Sequence, residues 1–117
     1  MTLSYSWESV EYSDRHPLWG GDQITVHSDG RVEILQAPPG NVQERRFEFR
    51  LEQPVPALEV GSGVFMPALL PPDSTILQLT FVTADGPQHT RWYEHATDLP
   101  GWLVEARRWL KSLIPKS

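Results

Sequence analysis

The stretch ITVHSDGRVEIL, residues 24–35, constrains the fold more than any other part of the chain. Apolar and polar residues alternate on both sides of an Asp–Gly pair, which is the signature of two antiparallel strands joined by a tight turn. A two-residue turn at Asp29–Gly30 would set Val26 against Glu33. A three-residue loop, Ser28–Asp29–Gly30, sets Val26 against Val32 and Ile24 against Ile34. The second register gathers four β-branched residues on one face, so it is the one expected. Gly30 then occupies the left-handed position that closes such a loop, where a Cβ is unwelcome. Thr25, His27, Arg31 and Glu33 share the other face, and Asp29 is a turn former rather than a catalyst.

A second hairpin follows the same logic. TILQLTFVT (75–83) and QHTRWYEH (88–95) flank Ala84–Asp85–Gly86–Pro87. A two-residue Asp85–Gly86 turn would pair Leu79 with Trp92 and Phe81 with Thr90. Leu77, Leu79, Phe81 and Trp92 then face inward, and His89, Arg91, Tyr93 and His95 face outward.

Two further segments alternate. LSYSWESVEY (3–12) changes its inward parity between Trp7 and Val10, which predicts a bulge near Glu8–Ser9. In ERRFEFRLE (44–52), Phe47, Phe49 and Leu51 face inward, while Arg46, Glu48, Arg50 and Glu52 face water. Between the hairpins, residues 53–74 are apolar but broken by Pro and Gly, and only Ala57–Val60 suit a turn of helix. The clearest helix comes last. Leu99, Trp102, Leu103, Ala106, Trp109, Leu110 and Leu113 recur at the spacing of one buried face. Asp98 is placed to cap it, Pro100 fits a first turn and Pro115 ends it. Glu105, Arg108, Lys111 and Ser112 fall on the other side.

The expected architecture is therefore α+β. A mostly antiparallel sheet of about five or six strands carries a C-terminal amphipathic helix on one face. The length of 117 residues suits a single domain, 1–117, with its own core.

Composition narrows the chemistry. The net charge of −5 argues against nucleic acid, whose phosphates call for a positive stripe. There is no cysteine, which excludes disulfides, a thiol nucleophile and a cysteine-type zinc site. No apolar run is long enough to span a membrane, and the first residues lack the basic-then-apolar order of a signal peptide. The expected compartment is the cytoplasm.

Four groups of residues invite a functional reading. The stripe His89, Arg91, Tyr93 and His95 is suited to an anion or an acidic protein surface. Its two histidines lie six positions apart, roughly 20 Å on a strand, too far to share a metal. Asp14, His16 and Asp22 are ligand types, but their spacing fits no metal motif. Gly61–Ser62–Gly63 lacks the lysine of a phosphate loop and the flanks of a nucleophile elbow. Leu18–Trp19 and Val64–Phe65–Met66 with Leu69–Leu70 are apolar loop residues. Trp19, Phe65 and Met66 are of the types found at interface centres. No catalytic triad or carboxylate pair stands out, and no metal or cofactor is called for.

The order SYSW, ITVHSDGRVEI, RFEF, PPDS…LQLTFVTADG…HTRWYEH and LPGWLVEARRWLKSL resembles a group of small uncharacterised bacterial proteins. Its second half is similar in layout to emfourin-type inhibitors of thermolysin-like metalloproteases. The shared parts are an apolar segment ending in Pro–Asp, a hairpin, a proline-started helix and a Leu-rich turn. That resemblance implies the order of elements and an inhibitor-like role, while the first half departs from the family. The expectation is a non-catalytic protein-interaction domain, monomeric or dimeric. The alternatives are a ligand-binding or enzymatic cleft between the sheet and residues 54–72, and a homo-oligomeric structural module.

Overall fold

Strand β1 (Ser9–Ser13) sits at the centre of the sheet because both its neighbours bury the same face that it does. Val10 and Tyr12 are wholly inaccessible, flanked by Val26 and Ile24 on one side and by Phe81 and Leu79 on the other. In this computed structural model, residues 7–14, 20–37, 44–56, 58–69 and 74–114 are described. The remaining strands are β2 (Gly21–His27), β3 (Arg31–Ala37), β4 (Arg45–Arg50), β5 (Gly63–Phe65), β6 (Ile76–Thr83) and β7 (Gly86–Tyr93). They form one seven-stranded sheet in the order β4-β3-β2-β1-β6-β7-β5.

The first hairpin has the expected register. Val26 pairs with Val32 and Ile24 with Ile34, and Gly30 has φ +96°. All four β-branched side chains are fully buried. At Glu8 the chain bends, so that Trp7 and Val10 both reach the core despite their opposite parity.

The second hairpin differs from expectation. The turn is Ala84–Asp85, and Leu77 pairs with Trp92, Leu79 with Thr90 and Phe81 with Gln88. The shift is an even one, so the same apolar residues still face inward. It also accommodates Pro87. The residues flanking a two-residue turn, Thr83 and Gly86, form the hydrogen-bonded pair. Pro87, one step on, therefore turns its missing N–H away from β6 towards the outer edge, where no donor is needed.

Two more expectations are corrected. Among the described residues the sheet has seven strands rather than five or six, and although mostly antiparallel, as expected, it includes one parallel pair. Residues 63–65 form β5, which runs parallel to β7 with Val64 beside Arg91. No helical turn is present at 58–60, and Ala57 lies outside the described residues. Phe49 is more exposed than a core residue, because β4 is an edge strand and Phe49 lines an open cleft with Trp109 and Leu113.

Helix α1 (Gly101–Ser112) covers the inward face through Leu103, Ala106 and Leu110. Its N-cap is Pro100 in an extended conformation, with no side-chain cap, so Asp98 does not perform the expected role. Pro100 instead offers its carbonyl to the amides of Leu103 and Val104. Trp102 lies against Gly61, where a Cβ would stand 2.5 Å from the indole ring. Gly61 is thus needed for close approach, and this contact holds the otherwise irregular 58–62 segment onto the helix. The buried residues make one core, in which Trp7 meets Phe81 and Tyr12 meets Trp92 at centroid distances of 6.4 and 6.1 Å.

Candidate functional site

With the helix on one side, the other face of the sheet is uncovered among the described residues. Reading across neighbouring strands, the residues at one level are Val64, Arg91, Gln78, Ser13, Gln23, Leu35 and Arg46. The next level holds His89, Thr80, Glu11, Thr25, Glu33 and Glu48. The surface is mostly polar and of mixed charge, as expected for an antiparallel sheet with one wet face.

The expected stripe on β7 is largely present. His89 and Arg91 are exposed and Tyr93 half-buried, on the face opposite buried Thr90 and Trp92. Thr80 fixes the His89 ring through a 3.0 Å hydrogen bond between Oγ1 and Nδ1. His95 is not on the strand. β7 ends at Tyr93, and the chain turns back with the Ala96 amide donating to the Tyr93 carbonyl. This places the His95 ring edge-on to Tyr93, at 5.2 Å between centroids. No group of His, Asp and Glu among the described residues has the arrangement of a metal site.

What the sequence did not join to this stripe is β5. The parallel pairing sets Val64 directly beside Arg91 on the open face, and Val64 is 69% exposed. Phe65 turns the other way, packing against the core with its ring over Gly63. Met66 is half-buried, Leu69 is exposed, and Trp19 lies outside the described residues. The edge thus brings together an exposed aliphatic side chain, a guanidinium, a phenol and two imidazoles. A clue was present in the sequence: Val64 and Phe65 are β-formers between glycine and proline, the setting of a short edge strand.

A second cluster lies at one end of the helix layer. Lys111 was placed on the outer side of the helix by its spacing, but its Nζ reaches the sheet. It lies 3.1 Å from Asp14 and 2.9 Å from Asp22. The Asp22 amide and the Tyr12 hydroxyl both donate to Asp14, and Arg107 donates to the Tyr12 oxygen at 3.2 Å. Gln36 donates to Asp22. His16, the third member of the expected trio, lies outside the described residues.

The electrostatics follow from this wiring. Burial opposes charge on Asp14, but the Asp22 amide, the Tyr12 hydroxyl and Lys111 outweigh it and hold the carboxyl below its usual range. Burial likewise opposes the Lys111 charge, yet the two carboxylates raise its pKa. The Tyr12 phenol is pushed up, chiefly by burial. The cluster therefore holds its ordinary charges firmly, which suits a strut between helix and sheet. Beside it, a cleft of about 400 Å³ is lined by Asp14, Asp22, Thr75, Glu94 and Arg107. Another, of about 450 Å³, lies between Phe49–Pro54 and Trp109–Leu113 and meets the 54–72 segment at Pro54.

No family model, no curated protein and no solved structure matches this chain. No helix among the described residues is long and apolar enough to cross a membrane.

Proposed function

We propose that the chain is a non-catalytic protein-interaction domain whose recognition surface is the β5–β7 edge of the open sheet face. The observation that carries this reading is Val64, 69% exposed and in register beside Arg91. An aliphatic side chain held out by a paired strand loses water on contact, and Arg and Tyr beside it are the types that dominate interface energetics. His89, held by Thr80, and His95, edge-on to Tyr93, are placed without further ordering. The mixture of cation and apolar group suits a protein surface carrying carboxylates. Inhibitors and antidotes belong to this class of function.

The test is affinity capture from lysate with the wild-type chain and with Val64→Glu and Arg91→Glu, quantified by mass spectrometry and followed by binding with the purified partner. A partner that binds directly and weakens at least tenfold with either substitution supports the reading. Partners held equally by all three proteins would place recognition elsewhere.

A further inference from the structure

The opposite edge of the sheet carries a different pattern. On β4 and its flanks the outward residues are Glu44, Arg46, Glu48, Arg50 and Glu52, acid and base in strict alternation. The strand's own neighbour does not account for this. In the β3–β4 register Glu48 lies opposite Glu33 and Arg50 opposite Arg31, like against like. Directly opposed like charges destabilise a sheet. Relief within the chain is modest: Arg46 and Glu48, two apart on the same strand, come within 3.8 Å of each other, both well exposed, and Arg50 donates to the Asp29 carbonyl at 3.1 Å.

The backbone of this strand is also poised for pairing. The Leu51 amide donates to the Gly30 carbonyl at 2.8 Å. By the two-residue alternation of an antiparallel ladder, Phe49, Phe47 and Arg45 also turn their N–H and C=O groups to β3. Arg46, Glu48 and Arg50 turn theirs outwards, and among the described residues no strand meets them. An open ladder of this kind is a template for another strand.

We infer that β4 pairs antiparallel with β4 of a second copy about a twofold axis at Phe47, joining two sheets into one. In this register Arg46 of each copy faces Glu48 of the other, and the outward backbone groups of both meet as hydrogen-bonded pairs. Arg45 faces Phe49, extending the cation–aromatic contact Arg45 already makes 5.2 Å from the Phe47 ring centre. The neighbouring register centred on Glu48 is rejected by charge, since it sets Glu48 against itself and Arg46 against Arg50. The register centred on Phe49 needs Leu51 and Glu52, which lie beyond the strand. A twofold axis makes each of these contacts occur twice. The paired segment is short, so the dimer is a weak one that forms as concentration rises and is loosened by salt. This surface is separate from the β5–β7 patch, and the loss of one leaves the other intact.

Charge reversal tests the register. Sedimentation velocity, run up to about 1 mM protein, is expected to show a monomer–dimer equilibrium for the wild type, near 13.3 kDa for the monomer. Arg46→Glu alone and Glu48→Arg alone each oppose like charges and are expected to weaken dimerisation at least tenfold. An equal mixture of the two single variants restores Arg–Glu pairing and is expected to dimerise. So is the double variant R46E/E48R, which in the Phe49-centred register would stay monomeric. These side chains are exposed, and circular dichroism confirms that each variant is folded. A wild type that stays monomeric throughout, or single variants that dimerise as well as it does, would overturn the inference.

Discussion

Replacing Lys111 by Met removes one charge and little else. The methionine keeps the unbranched stem and the helix propensity, so the loss reads out the ammonium between Asp14 and Asp22. Its size is bracketed by two limits. Exposed ion pairs contribute about 0.2–1 kcal/mol each. Breaking a fully buried pair costs about 3–5 kcal/mol, because the remaining charge is stranded. Here the Lys111 side chain is 35% exposed and the two aspartates 16% and 19%. The site therefore lies between the limits, with solvent screening on the lysine side, and the expected loss at pH 7 is about 2 kcal/mol. For a chain of this size that is a fall in Tm of roughly 6–10 °C. Urea titration followed by tryptophan fluorescence measures it, with Arg108→Met as the control on the exposed side of the same helix, expected to change stability by less than about 0.5 kcal/mol. The difference has a pH signature. Asp14 is held below the usual 3.8, so its contribution is present above that value and is lost as pH falls through the folded-state pKa. The wild-type advantage over Lys111→Met should shrink as Asp14 protonates. A Lys111→Met protein as stable as the Arg108→Met control at pH 7 would refute the strut between helix and sheet.

Three other outcomes follow from the packing. Gly61→Ala sets a methyl 2.5 Å from the Trp102 ring, and is expected to lose about 1–3 kcal/mol in chemical denaturation and to alter near-ultraviolet circular dichroism. At Gly30 there is space beside Leu51, but φ is +96°, so Gly30→Val is expected to lose about 2 kcal/mol or more from backbone strain alone in thermal melts. On the alkaline side, Tyr12 and Lys111 both have raised pKa values relative to 10.0 and 10.5, so the stability they confer is present below about 10 and declines as pH rises through the folded-state values. Tyr12→Phe should flatten that alkaline limb in a pH series of urea midpoints, after an initial loss of about 1 kcal/mol for the hydrogen bonds.

The sequence carried some of this architecture and not the rest, for reasons that lie in particular residues. The first hairpin was legible because Ile24, Val26, Val32 and Ile34 pair only in one register and Gly30 closes it. In the second hairpin, moving the turn from Asp85–Gly86 to Ala84–Asp85 keeps every side chain on its face, so an alternating pattern is blind to it. What decides it is the direction of the Pro87 nitrogen. Strand β5 has three residues, and its partner is set by the helix and Trp102 holding the preceding segment in place, which no local pattern records. Lys111 was misassigned because its spacing places its Cα beside the apolar stripe, while its long stem reaches across to the sheet. Asp14 and Asp22 were noticed separately as ligand types. Their meeting follows from the β1–β2 pairing, one step beyond Ser13–Gln23, with the Asp14 amide donating to the Asp22 carbonyl. The stripe His89, Arg91 and Tyr93 was legible from alternation, whereas Val64 beside it was not, because parallel edge pairing brings the two together.

The open face of the sheet at β5 and β7 is the centre of the functional account, and hydrogen–deuterium exchange with the captured, purified partner tests it most directly. Protection on binding is expected in peptides covering 63–66 and 86–96, with the helix, 101–112, unchanged. Protection confined to the helix, with exchange in β5 and β7 unaltered, would contradict it.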